Sequence, residues 1–331
     1  FYFMQKILLI GGGGYVGNSL AHYFLKKKHQ VTILDNFIYN HRSTLNNLTS
    51  FSTLKVIEED ILNRSALKKI INNCDIVIVL AGLVGDPITK KYPEYASRIN
   101  DLGVKNSIDI TFENKIRKLI FISTCSNYGL ISEDKLADEQ HPLNPISLYA
   151  KSKVDAEKYI MSFENRNIFT STTILRFATA FGVSNRMRFD LTINHFVKDA
   201  LIDNKLVVYD SDTWRPYCHL QDFNNIIEKV IFASQKDVDF QIFNAGSEIN
   251  NYTKEMIVKE ISKKFNNLDL KIVEGGHDRR NYKVDFNKIK KTLNFKPIFS
   301  VNDGIEEIIQ YIKNSNDVSN FASFGNFEIK K

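Results

Sequence analysis

Cysteine is scarce: Cys74, Cys125 and Cys218 are the only three in 331 residues, widely spaced and with no Cys-x-x-Cys pair. An odd, scattered set supports neither a disulfide framework nor a zinc site, and it suits a reducing compartment. No run of about 18 apolar residues occurs, so no membrane span is expected. The opening residues lack the charged, apolar and small-residue regions of a signal peptide. Met4, followed by a strand pattern, reads as the natural start, with Phe1 to Phe3 left aside, and a cytoplasmic location is expected. Long basic runs are also missing. The net charge is +6, and lysines such as Lys26 to Lys28 and Lys68 to Lys69 read as solvated helix faces, so no nucleic-acid partner is expected. His195 and His219 show no carboxylate or cysteine at ligand spacing, so no metal is assigned. No internal repeat or low-complexity tract is visible.

What is present is ordinary globular composition, 43% hydrophobic and 25% charged, in a chain long enough for one large domain or two unequal ones. The first half alternates short apolar runs with amphipathic segments. The runs are Lys6–Ile10, Gln30–Leu34, Leu54–Ile57, Asp75–Leu80, Leu119–Ile122 and Thr172–Leu175. They are rich in Ile, Leu and Val and nearly continuous in hydrophobicity, as strands buried on both faces must be. Helix-length segments near 15–28, 64–72, 94–112 and 149–164 separate them. Repeated strand–helix–strand units predict an α/β fold of the doubly wound, Rossmann type with a parallel sheet. After about residue 180 the rhythm breaks at polar loops, Val183–Arg188 and Ser211–Pro216. Helices are predicted at 190–203, 219–234, 253–265 and 301–313. The expected division is therefore 4–180 for dinucleotide binding and 181–331 for a smaller α/β substrate domain, with segments returning to the sheet.

The segment Lys6-Ile-Leu-Leu-Ile-Gly-Gly-Gly-Gly-Tyr-Val-Gly17 runs from strand through glycine turn into helix. Gly11, Gly14 and Gly17 let backbone approach a pyrophosphate while the helix, starting near Tyr15 and Val16, directs its amides at the anion. A merely flexible loop is the plainer alternative, but the strand before and helix after favour a dinucleotide site. Asp35 ends the second strand about 20 residues on, where a carboxylate accepts from ribose hydroxyls and repels a 2′-phosphate; this favours NAD over NADP. Its plainer reading is a cap or turn residue. Asn36, Asp60 and Ile61 follow the strand ends beside it, with Asp60 placed to face the adenine or to serve as an ordinary loop carboxylate.

Tyr149-Ala-Lys-Ser-Lys153 puts a phenol and an ammonium four apart, on one helix face. The ammonium favours the phenolate, and a tyrosine so tuned takes a proton from a hydroxyl while hydride leaves the same carbon. Lys153 also suits the nicotinamide ribose. Chance tyrosine–lysine spacings are common on solvated helices, so weight comes from Phe121-Ile-Ser-Thr-Cys-Ser-Asn-Tyr-Gly129, which follows a strand where open sheets bind ligands. Thr124 is the hydroxyl expected to align the reacting oxygen with Tyr149; a turn satisfying its own backbone is the alternative.

In this order, Gly11–Gly17, Asp35, Leu80-Ala-Gly-Leu-Val84, Ser123–Gly129 and Tyr149/Lys153 resemble the motifs of extended short-chain dehydrogenases, specifically the sugar-nucleotide epimerase/dehydratase family, over nearly the whole chain. The resemblance implies retained NAD, a nucleotide-sugar substrate and a homodimer. It adds Leu80, Ala81, Gly82, Ser123 and Phe177 to the cofactor set, and Val84, Cys125, Ser126 and Asn194 to the substrate set. Asp212-Thr-Trp-Arg-Pro-Tyr-Cys-His-Leu-Gln-Asp222 and Asp278-Arg-Arg-Asn-Tyr-Lys-Val-Asp285 are similar to segments whose arginines, Arg215 and Arg280 here, grip a diphosphate; surface ion pairs are the alternative. Dehydratases of the family carry an Asp-Glu pair after the threonine, and decarboxylases a glutamate in that run. Cys125 and Ser126 stand there instead. Thr179 replaces an asparagine of UDP-galactose 4-epimerases. Asn185–Phe196, with Arg186 and Arg188 reaching a sugar or phosphate or forming a solvated basic loop, and Trp214–His219 are similar to a subgroup that includes GDP-heptose 4-dehydrogenases. The implied activity is a 4-epimerase or 4-dehydrogenase of nucleotide-sugar or surface-polysaccharide biosynthesis. A nucleotide-sugar 4,6-dehydratase and a non-catalytic dinucleotide-binding sensor remain the alternatives.

Overall fold

The computed structural model describes residues 3–132, 134–166, 168–276, 280–315, 321 and 324–330. Asp278 and Arg279 of the second arginine segment lie outside the described residues.

Seven parallel strands make the central sheet: β1 (Lys6–Ile10), β2 (Gln30–Asp35), β3 (Leu54–Glu58), β4 (Ile76–Val79), β5 (Lys118–Thr124), β6 (Ser171–Phe177) and β7 (Gln241–Ala245). Their order is β3-β2-β1-β4-β5-β6-β7, so the winding reverses between β1 and β4. Ligands bind beyond the carboxyl ends of strands at such a reversal. Side chains alternate across each strand, and here both faces are apolar. Ile7, Leu9, Ile33, Ile78, Ile120 and Leu175 enter one buried cluster, whereas Leu8, Ile10, Leu34, Val79, Phe121 and Ile174 enter the other. Each such side chain contributes about 1.5–3 kcal/mol on burial.

The six apolar runs read from sequence are β1 to β6. The seventh strand returns from the C-terminal half. The segment predicted as one helix over 94–112 is built in three pieces, Pro93–Ser97, a π-helical stretch Arg98–Gly103 and Val104–Glu113. The wide turn has a use: it carries Asn100, whose amide accepts from the Leu83 N–H at 2.7 Å and donates to the Leu83 carbonyl at 3.1 Å, pinning the loop after β4.

The loop expected over Ser211–Pro216 is shorter than that. Trp214–His219 is a strand, parallel to Thr179–Phe181 and antiparallel to Asn251–Thr253. Tyr217 and Cys218 are inward-facing apolar positions, and their burial overrides the local Arg-Pro signal. A third apolar cluster, including Phe181, Phe189, Val197, Leu206, Ile257 and Ile305, joins these C-terminal elements. It touches the sheet's carboxyl edge through Tyr15, whose hydroxyl donates to the Gly182 carbonyl at 2.6 Å.

Candidate active site

A cleft of about 720 Å³ opens beyond the carboxyl ends of β1, β2, β4, β5 and β6. Its floor is the glycine turn. Gly11 has φ +81°, and a Cβ there would lie 2.6 Å from the Ala81 backbone, so only glycine passes. Helix α1 (Tyr15–Lys26) begins at Gly14, which has no side chain to cap it, and its first turn holds no acid. Its leading amides are left for an anion. Asp35 accepts from Gly13 N–H at 2.9 Å and from Phe37 N–H at 2.8 Å, which fixes its carboxylate at the rim of the turn.

The opposite end holds the hydroxyls and the amine. Thr124 ends β5, and its Oγ1 accepts from Ser126 N–H at 3.1 Å, starting the short turn Cys125–Tyr128. Helix Leu148–Met161 is capped by Ser147, which accepts from Ala150 N–H at 3.1 Å; the cap sets Tyr149 in the first turn, facing the cleft. Lys153, one turn on, donates to the Ile122 carbonyl at 2.7 Å and stands 5.9 Å from the Tyr149 ring centre. Burial pushes Tyr149 up to about 12, opposed by the Arg188 and Arg280 charges. Burial also pulls Lys153 down to about 8, opposed by Glu157. Burial therefore outweighs the guanidinium charges around the phenol, contrary to the simple expectation of a lowered tyrosine.

Behind the lysine, Glu157 and Arg176 form a buried pair with Nη2–Oε2 at 2.7 Å. Glu157 also accepts from Ser123 and, at 2.8 Å, from Asn127. Four guanidinium groups line the cleft wall. Arg280 donates to Ser126 Oγ at 3.1 Å, and Arg215 donates to the Arg280 carbonyl. Arg188 grips Asp190 through two bonds of 3.0 and 2.6 Å. Arg186 lies over the Tyr39 ring at 5.3 Å, near Asp35, and its buried Nη1 has no hydrogen-bond partner among the described residues.

Most residues named from sequence line this one cleft: Gly11, Gly14, Tyr15, Val16, Gly17, Asp35, Asn36, Ile61, Leu80, Ala81, Gly82, Val84, Ser123, Thr124, Ser126, Tyr149, Lys153, Phe177, Thr179 and the four arginines. Three do not. Cys125 turns the other way, fully buried, with Sγ 3.0 Å from the Arg176 carbonyl, because the turn starting at Thr124 sends alternate side chains to core and cleft. Asn194 is fully buried as well; it bonds Gly182 N–H, Tyr15 Oη and the Arg188 carbonyl, so it braces the wall from behind. Asp60 accepts from Asn36 Nδ2 at 3.3 Å and Leu62 N–H at 2.8 Å, one step outside the lining. His195 does meet a carboxylate, Asp199, at 3.0 Å one helical turn on; among the described residues no group of three such side chains could hold a metal. Sequence reasoning missed Tyr39, Asp86 and the terminal residues Asn326 and Phe327, all of which line the cleft. Only Tyr39 had a signal, its place four positions beyond Asp35.

A glycine floor, an uncapped helix start, a carboxylate at the rim of the glycine turn and a tyrosine–lysine pair meet in one cleft on a doubly wound sheet. The chain belongs to the NAD dependent epimerase/dehydratase family, whose model matches residues 7–246, and NAD is the cofactor that membership brings. It is 26% identical to a UDP-N-acetyl-alpha-D-glucosaminuronate decarboxylase of Bacillus cytotoxicus, over 93% of this chain and 98% of that protein. It is also 26% identical to a UDP-glucuronate 4-epimerase of Thermodesulfobacterium geofontis, over 94% and 97%. Its fold matches the crystal structure of a Bacillus cereus UDP-glucuronic acid 4-epimerase with UDP-glucuronic acid and NAD, at a TM-score of 0.84 and 24% identity, covering 93% and 99%. The cleft fits NAD on its own terms: Gly11 admits close approach, the start of α1 is uncapped, and the Arg186 donor awaits an acceptor. Among the described residues no helix is long and apolar enough to cross a membrane.

Proposed function

We propose that the chain oxidises and re-reduces, or simply oxidises, the C4 alcohol of a nucleotide-activated sugar, as a 4-epimerase or 4-dehydrogenase. One observation carries the reading: Tyr149, Thr124 and Ser126 face the same cleft as Arg215 and Arg280, so one ligand can meet the proton relay and the guanidinium wall together. When bound, NAD supplies the hydride acceptor and a positive ring that favours the Tyr149 phenolate. Thr124 orients the sugar hydroxyl, and Tyr149 takes its proton. Lys153, still largely charged at neutral pH, holds the ribose and favours the phenolate. Arg215 and Arg280 neutralise the diphosphate.

The same geometry argues against elimination of water. Ser126 has no carboxylate's basicity, and burial pushes the Cys125 thiol far up while it faces the core. The roles of the cofactor-facing residues follow the same division: Gly11 to Gly17 on the pyrophosphate, Asp35 and Asn36 on the ribose, and Leu80 to Gly82, Ser123 and Phe177 along the nicotinamide half. We place the enzyme in the cytoplasm as a homodimer, an assembly that light scattering of the purified protein tests. Incubation with a panel of UDP-, GDP-, dTDP- and CDP-sugars, followed by product mass, tests the activity. A C4 epimer of unchanged mass resolved from the substrate by chromatography, or a loss of two hydrogens, agrees with the reading; a product lighter by water or carbon dioxide, or no conversion of any sugar, overturns it.

A further inference from the structure

The cleft has a cover that no motif announces. Phe324 gives its carbonyl to Phe189 N–H at 2.7 Å, and the Phe321, Phe324 and Phe189 rings pack together, anchoring the C-terminal segment on the wall that carries Arg188. From there the chain crosses the cleft mouth. Gly325 and Asn326 hold Arg186 through the Gly325 carbonyl at 3.3 Å and Asn326 Oδ1 at 2.7 Å. The Asn326 backbone N–H donates to Asp190 at 3.3 Å, and its amide donates to the Val84 carbonyl at 3.4 Å, in the loop after β4. Glu328 pairs with Lys91 at 3.1 Å. Finally, the Lys330 N–H donates to the Ile38 carbonyl at 2.7 Å, three residues beyond Asp35. Asn326 and Phe327 line the cleft itself.

We propose that residues 324–330 are a strap that closes over the dinucleotide, and that Arg186, held by the strap, gives its free Nη1 donor to an anionic oxygen of that dinucleotide rather than to the sugar. Val84 and Ile38 flank the cleft from opposite sides, beyond β4 and beyond β2, so a segment bonded to both spans whatever lies between Asp35 and Ala81. Arg186 sits at the Asp35 end of the cleft, beside Tyr39. A buried guanidinium donor without a protein acceptor is costly unless a ligand accepts from it. The cofactor must then pass the strap in both directions. This inference rests on the reading of the cleft as a dinucleotide site.

The test loads the full chain with NADH, mixes it with excess NAD and follows nicotinamide fluorescence; a second mixing series measures the association rate. Asn326→Ala removes two side-chain bonds of the strap, and Lys330→Pro independently deletes the N–H given to Ile38. Each is expected to release NADH roughly fivefold to thirtyfold faster and to raise the association rate as well, because an open mouth speeds both directions. Release accelerated with association unchanged means a lost contact and no gate, and it overturns the strap. Rates equal to the unaltered chain in both variants overturn it too. If the unaltered chain binds no NADH at all, the dinucleotide reading falls and the strap with it; if it binds and only the variants fail to differ, the strap alone falls.

Discussion

Replacing Glu157 by glutamine removes one charge from a buried network while nearly keeping its shape. Arg176 is then left buried with its ion-pair partner gone, the two having been almost fully enclosed. Breaking one side of such a pair costs about 3 kcal/mol or more, since the remaining charge stays desolvated. For a chain of this length that corresponds to a fall in thermal midpoint of about 6 °C at about 2 °C per kcal/mol. A second effect follows from distance along the helix. Glu157 lies one turn beyond Lys153 and is the charge that opposes the burial-driven fall of the lysine toward about 8. Without it the ammonium is lost at lower pH. Because the lysine acts in its charged form, activity disappears as pH rises through its value, so the basic limb of the pH–rate profile moves to lower pH in the variant. Calorimetry in saturating NAD reads the first effect and a pH series of turnover reads the second. An unchanged midpoint together with a superimposable basic limb would refute both the coupling and the role given to the lysine charge.

Two further substitutions address the ends of the cleft. Gly17→Ala places a Cβ 2.5 Å from the Gly12 Cα, a backbone atom with no side-chain freedom to yield, so NAD affinity measured by titration falls at least about tenfold as the turn is forced open. Arg280→Ala removes the guanidinium resting on Ser126 and raises KM for the nucleotide sugar roughly tenfold to a hundredfold, with NAD binding by the same titration unchanged.

The parallel sheet could be read from the sequence because strands buried on both faces must be continuously apolar, and β1 to β6 are. A strand returning from the C-terminal half was expected, but its place at β7 was not read because Gln-Ile-Phe-Asn-Ala is short and carries two amides, and it pairs along the edge that β6 offers. The π-helical stretch around Asn100 is invisible to a helical period. At the site, glycine spacing and the Tyr149–Lys153 interval carry their geometry with them, since both are local. The facing of Cys125 and Ser126 depends on where one short turn begins, which spacing does not encode. The phenol's value depends on burial by distant segments. Asn326 reaches the cleft only through the fold, 242 positions away in the chain from Val84.

The central claim is that the Tyr149 hydroxyl relays the proton when the sugar alcohol is oxidised. Tyr149→Phe, loaded with NAD and mixed with whichever nucleotide sugar the unaltered chain converts, measures it in a single turnover. Cofactor and sugar are both expected to bind while no reduced-nicotinamide absorbance develops and no product forms. Reduced nicotinamide appearing at the rate of the unaltered chain would contradict it.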